Sequence, residues 1–208
     1  SVWGEVDKLL NAEFPVDGGK RKMKILFSTM DTGYCEKQAF EYIDKNKFLL
    51  MGIKGNPEDK SKPLYKVTPN YKEALTKRNL YILDGHSYKE ELAAYMRMNW
   101  SGSVREEQPT GFMNFPSQGL EVTFPGMQRS TTLYQYTNFF SHFEAEKRVP
   151  DLNENGEEVG FVWKKKSPTA QNHFWDCRIY NMAAKEIFMR EVFTEIEVKD
   201  NRTWAHFC

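Results

Sequence analysis

At 208 residues the chain is long enough for one sizeable hydrophobic core and too short for two large ones, so a single domain spanning 1–208 is the expected organisation. Hydrophobic residues at 40% and charged residues at 28% exclude a disordered or fibrous chain, and no apolar run approaches the ~20 residues that cross a bilayer. With 29 basic side chains against 29 acidic ones, any hold on nucleic acid has to come from a local patch and not from the chain as a whole.

Trp3, Val6, Leu9 and Leu10 recur at helical spacing, and the segment stops near Pro15 and the Gly18-Gly19 turn, which predicts a short leading helix. Lys20, Arg21, Lys22 and Lys24 follow as a first basic cluster. Residues 23–30 read as one strand, with Ile25, Phe27 and Thr29 on one face, running into Asp31 and Gly33. A helix is expected from Tyr34 to Asn46 with Ala39, Phe40 and Ile43 inward, then an apolar strand over 47–53. Strand, helix and strand at this spacing predict a parallel crossover unit.

Asn56 to Pro63 is a polar surface loop. Leu64–Val67 and Leu80–Leu83 are strand candidates, and Ser87 is expected to cap a helix reaching about Met98. Loops over 100–110 and 117–130 flank one short strand, G-F-M-N-F. Helical periodicity resumes from Leu133 to Arg148, D-L-N-E-N-G-E-E reads as a hairpin turn, and V-G-F-V-W-K-K-K reads as a strand carrying a second basic cluster, Lys164, Lys165 and Lys166. A run of like charge taken alone is a solvated face. A strong helix from about Asn172 to Phe193 follows. The class is α/β with a mixed sheet.

Two carboxylates stand out. Asp176 shares a helix face with Ile179, Tyr180, Ala183 and Ile187, the face expected to turn inward, where an ionised group needs a partner. A buried Arg or the amides of the helix start would supply one; so would a divalent cation, whose preference for hard oxygen suits carboxylates. Asp31 closes a strand before a glycine turn, where ligands of open α/β sheets gather, although Asp in D-T-G also serves as a helix cap or Asx turn. Two such acids from different elements have the form needed for metal-assisted phosphodiester hydrolysis.

The three cysteines, Cys35, Cys177 and Cys208, form no CxxC pair, which argues against a disulfide scaffold or a zinc site and for a reducing cytosol. His86, His142, His173 and His206 do not cluster by spacing, so no nucleophile and base pair is expected. No G-x-x-x-x-G-K-[ST] loop occurs, so ATP binding is not expected of these residues.

M-D-T-G-Y after a strand, G-I-K-G at 52–55 after the next, F-E-A-E at 143–146, V-W-K-K-K, and N-H-F-W-D-C-R-I-Y-N-M-A-A stand in an order that resembles the nuclease region of lambda-like large terminase subunits of tailed bacteriophages. The likeness runs over nearly the whole chain. It implies an RNase H-like fold, a mixed sheet flanked by helices, and a magnesium- or manganese-dependent, two-ion endonuclease that cuts concatemeric double-stranded DNA during virus assembly in the host cytoplasm. By the same resemblance Asp31 is the second acidic ligand and Asp176 the third. Lys54, in the K-G pair, lies near the site and faces a phosphate, where its plain reading is a surface lysine at a strand end. Glu146 matches a family glutamate, against the preferred reading of one charge among several on an amphipathic helix. The family's first acid sits on an earlier strand, so the first strand or strands, that ligand and the packaging ATPase are expected upstream. Portal and small terminase subunit are the expected protein partners, with no membrane. Asp84, in I-L-D-G-H, is an accessory candidate whose simpler reading is a turn Asp before Gly85.

Two readings compete with the nuclease. A non-catalytic module docking the motor to portal or DNA would explain the missing first acid but not an inward Asp176. A junction resolvase or transposase would share the carboxylate logic.

Overall fold

The structure, a computed structural model, describes residues 2–16, 19–46, 50–56, 65–68, 79–104, 107–115, 121–122, 131–132, 135 and 137–193. In chain order its elements are α1 (Val2–Leu10), β1 (Glu13–Val16), β2 (Arg21–Lys24), β3 (Ser28–Asp31), α2 (Glu36–Lys45), β4 (Leu50–Asn56), β5 (Tyr65–Thr68), β6 (Leu80–Asp84), α3 (Gly85–Met96), β7 (Glu121–Val122), β8 (Thr131–Thr132), α4 (Phe139–Phe143), β9 (Glu146–Leu152), β10 (Glu158–Lys165), α5 (His173–Ile187) and a π-helical segment Phe188–Phe193. The chain divides into two units, Ser1–Gly85 with Tyr180–Cys208, and His86–Ile179.

The first unit is built on a four-stranded sheet in the order β3-β4-β6-β5, with β3, β4 and β6 parallel and β5 antiparallel to β6. The expected crossover is present: β3, α2 and β4 follow one another, and Asp31 pairs with Ile53. Register then fixes which side chains share a face. Met30, Gly52, Leu80 and Ile82 lie on one side, with Leu50, and meet Phe40, Tyr42, Ile43 and Leu10 in the core, flanked by Trp3, Val6 and Ile25. Trp3 stacks on Tyr42 at 4.5 Å, so the inward stripe of α1 closes this core. The Tyr42 hydroxyl donates to the Asp7 carboxylate at 2.6 Å, and burial together with that anion pushes its phenol up to about 12.

The opposite face carries Thr29, Asp31, Ile53, Gly55, Tyr81 and Leu83. Tyr180 of α5 lies against it, its carbonyl accepting from Thr29 Oγ1 at 3.4 Å. Ala183 and Ile187 are fully buried further along the helix.

Gly52 explains how closely α2 approaches the sheet. A Cβ at this position would stand 3.0 Å from Phe40 and 3.2 Å from Thr32, both buried side chains with no room to give. Gly52→Ala should therefore cost about 1–3 kcal/mol by overpacking, read from urea denaturation. At Gly55 the nearest atom is the Tyr180 hydroxyl at 3.5 Å, an ordinary contact, so Gly55→Ala is the tolerated control.

In the second unit, α3 buries Tyr88, Leu92 and Ala93, and α4 buries Phe143. The rings of Phe115, Phe140, Phe143 and Phe174 surround Phe139. Trp175, 2% exposed, packs on Trp163 of β10 at 5.6 Å. The β9–β10 hairpin turns where Asn153 Oδ1 accepts the amides of Asn155 and Glu157, and Gly156 supplies a left-handed φ of +80°.

Several sequence expectations change. The strand read over 23–30 is two: β2 pairs with β1, while β3 joins the parallel sheet after a break at 25–27. The strand read over 47–53 is observed from Leu50 to Asn56, residues 47–49 lying outside the described ones. The helix read over Leu133–Arg148 is, among the described residues, helical only at Gln135 and in α4, because Glu146–Leu152 pairs with β10 and cross-strand hydrogen bonding overrides local propensity. G-F-M-N-F forms no strand; reciprocal amide bonds between Gln108 and Asn114 close it as a loop. Ser87 lies inside α3 instead of capping it. Asp84 is the last residue of β6 and 3% exposed, leading directly into α3, so it is no surface turn.

Candidate active site

Asp31 stands at the carboxyl end of β3 because the strand cannot continue. Thr32, 1% exposed, turns inward and donates both its amide, at 3.0 Å, and its hydroxyl, at 3.3 Å, to the Ile53 carbonyl. The Gly33 amide then donates to Asp31 Oδ1 at 2.8 Å, an Asx turn that fixes the carboxylate. Its other oxygen, Oδ2, lies 3.5 Å from the Tyr180 hydroxyl, at the outer limit of a hydrogen bond. Asp31 itself is exposed. The turn therefore realises the simple reading of D-T-G without using up the carboxylate: one oxygen is committed, the other faces a phenol and solvent.

The turn closes under strain. Cys35, the residue before α2, has φ +50° and ψ +44°, the left-handed region that a side chain other than glycine adopts at a cost. Its carbonyl accepts the Ala39 amide, so the helix start depends on this conformation. Cys35→Gly is expected to raise stability by about 1 kcal/mol, and Cys35→Val to lower it, when unfolding is followed in urea.

The pleat separates other residues from Asp31. Lys54 pairs with Ile82 and Asn56 with Asp84, which sends Lys54 and Asp84 to the face opposite Asp31. Two strand spacings, about 9.5 Å, also divide Asp31 from Asp84 across the sheet. Lys54 is exposed, as expected of a lysine at a strand end, whereas the buried Asp84 has interactions of its own.

In the second unit, Asp176 lies in the first turn of α5, its amide donating to the Asn172 carbonyl at 2.9 Å. It is half-buried: the fully inward stripe of the helix is Trp175, Ile179, Ala183 and Ile187, and Asp176 and Tyr180 flank it.

Glu146 differs most from expectation. It is not a charge on a helix but a buried strand residue with both oxygens engaged, Oε2 by Lys89 Nζ at 2.7 Å and Oε1 by the buried Asn172 amide at 2.6 Å. Lys164, Lys165 and Lys166 are exposed at the end of β10 and just beyond it. His142 and His173, far apart in sequence, bring their rings to 5.8 Å. Burial, with the nearby His173 adding to it, holds the His142 imidazole below its usual range.

Tyr180 was not singled out by the sequence as a site residue. The only signal for it is spacing: it follows Asp176 by one helical turn.

The chemistry of Asp31 suits a hard cation, but among the described residues no three His, Cys, Asp or Glu side chains come close enough together to hold one. The described residues thus do not form a complete ion site. No helix among them is long and apolar enough to cross a membrane.

An α/β unit with an acid fixed at the end of a parallel strand defines a class in which catalysis at strand ends is common. A family model narrows it: the endonuclease domain of the terminase large subunit gpA matches residues 1–197, and the chain belongs to that family. No curated protein and no solved structure matches the chain. The nuclease resemblance carried by the ordered motifs is thereby borne out, and so is a mixed α/β architecture with three parallel strands flanked by helices.

Proposed function

We propose that this chain is the part of a DNA-packaging motor that hydrolyses phosphodiester bonds in double-stranded viral DNA, with Asp31 and Asp176 as the essential acids and magnesium or manganese as the cofactor. The observation that carries the reading is Asp31: a carboxylate held by a buried, cross-strand-anchored turn, with one oxygen still open, in a member of an endonuclease family. The Tyr180 hydroxyl stands by Asp31 Oδ2, and Asp176 enters the reading through the resemblance alone. A bound divalent ion would supply an activated water and charge neutralisation at the phosphate. The chain's own part is to present fixed carboxylates and to hold DNA by exposed lysines. A working ion site needs more ligands than the described residues bring together.

The test is cleavage of linear and supercoiled duplex DNA by the full terminase subunit containing this chain, with magnesium, manganese or EDTA. Cleavage that needs the ion, and that prefers plain duplex over a four-way junction, is the expected result. Undiminished cleavage in EDTA would remove the metal from the reading, and a preference for the junction would favour a resolvase.

A further inference from the structure

The two basic clusters visible in the sequence have different fates in the fold. In the β1–β2 hairpin, Glu13 lies between Lys22, at 3.0 Å, and Lys24, at 3.4 Å, and these lysines hold its carboxyl below the usual range. Within that cluster Lys22 and Lys24 are thus both committed to one carboxylate of the neighbouring strand. In the β9–β10 hairpin the register sets Lys147 directly opposite Lys164, both exposed, and neither has an ion pair or side-chain hydrogen bond among the described residues. Lys166, one residue past β10, is exposed in the same way. Arg148 cannot be counted with them, because its guanidinium is committed to Glu90 at 3.2 Å and to the ring of Phe161 at 4.0 Å.

Like charges directly opposite on neighbouring strands destabilise a hairpin. Nothing in the fold of the ribbon requires the pair: the residues that anchor it are Trp163, donating to Glu90 at 2.9 Å, and the buried Glu146, and both lie on the other face. A polyanion would turn this repulsion into attraction.

We infer that the outer face of the β9–β10 ribbon, through Lys147, Lys164 and Lys166, is where this chain holds the phosphate backbone of duplex DNA. Lys147 has no place in the basic clusters read from sequence and joins the surface only through the register of the hairpin. The contacts are point charges on phosphate, so they set affinity and salt dependence without reading sequence. The inference rests on the DNA-cutting role proposed above but not on its chemistry, since the ribbon holds DNA whether or not cleavage follows.

The experiment is fluorescence anisotropy of a labelled duplex titrated with the full chain in EDTA, across a salt series, for the unaltered protein, Lys147→Ala/Lys164→Ala and Lys22→Ala/Lys24→Ala. Loss of two phosphate contacts should reduce the slope of log affinity against log salt by about 1.8, while the Lys22 and Lys24 pair leaves it nearly unchanged. The thermal midpoint of the Lys147/Lys164 variant at low salt should hold steady or rise, which separates lost contacts from a damaged fold. An unchanged slope in that variant, or an equal loss in the Lys22/Lys24 variant, overturns the ribbon assignment and leaves the nuclease reading standing. If the unaltered chain does not bind duplex DNA even at low salt, the ribbon assignment falls, and the nuclease reading is decided separately by the cleavage test on the full subunit.

Discussion

Glu146→Ala is expected to lower the stability of this chain by about 3 kcal/mol. The carboxylate is the only buried one of the second unit among the described residues, and its two oxygens are satisfied by Lys89 and by Asn172. Removing it leaves an ammonium and a buried amide without their acceptor, and the expense of a broken buried pair exceeds what the intact pair contributes. The Lys89 side chain keeps 21% of its exposure, so water can partly replace the lost partner, which places the loss at the lower end of the range for buried pairs. Glu146→Gln should lose less, because an amide oxygen still accepts from Asn172. Combining Glu146→Leu with Lys89→Met should recover part of the loss, since neither charge is then left alone. Urea denaturation of the single and double variants checks this, and a Glu146→Ala loss below about 1 kcal/mol would show that the pair is not held as described.

Asp31→Asn should reduce DNA cleavage by at least about 100-fold, equivalent to roughly 3 kcal/mol of transition-state stabilisation, with folding stability nearly unchanged. The substitution is close to a pure change of charge. An asparagine oxygen can still accept the Gly33 amide, and Thr32 keeps the turn tied to Ile53. What disappears is the anion at Oδ2. Tyr180→Phe makes the comparison sharper: it removes a hydroxyl 3.5 Å away without touching the charge, and a loss smaller than about tenfold is expected. The assay is cleavage of supercoiled plasmid by the full subunit, with unfolding measured on the same samples. Retention of more than roughly a tenth of the activity by Asp31→Asn would take Asp31 out of the essential set.

Much of the first unit is legible in the sequence because its signals are local. The inward spacing of Ala39, Phe40 and Ile43 marks α2, and the apolar run ending near Ile53 marks a strand covered on both faces. The break between β2 and β3 is hidden because Ile25, Leu26 and Phe27 continue the apolar character of a strand after its pairing partner has changed. Glu146 is illegible for another reason. Its partners lie 57 residues before it and 26 after it, and F-E-A-E-K-R carries helical propensity that only the pairing with β10 overrides. The same limit applies to the site. D-T-G shows that Asp31 ends in a turn, but the pleat that directs Lys54 and Asp84 away from it depends on register, which no motif spells out.

The β9–β10 ribbon carries its lysines at the open end and Glu154, Glu157 and Glu158, all exposed, around its turn. Electrically it is a small bar with unlike poles, set in a chain whose formal net charge is zero. A duplex drawn to one pole is pushed from the other, so the ribbon constrains the direction from which DNA can lie along it before any base is contacted. Neutral composition, which at first gives no reason to expect nucleic acid, is thus compatible with a surface that orients it.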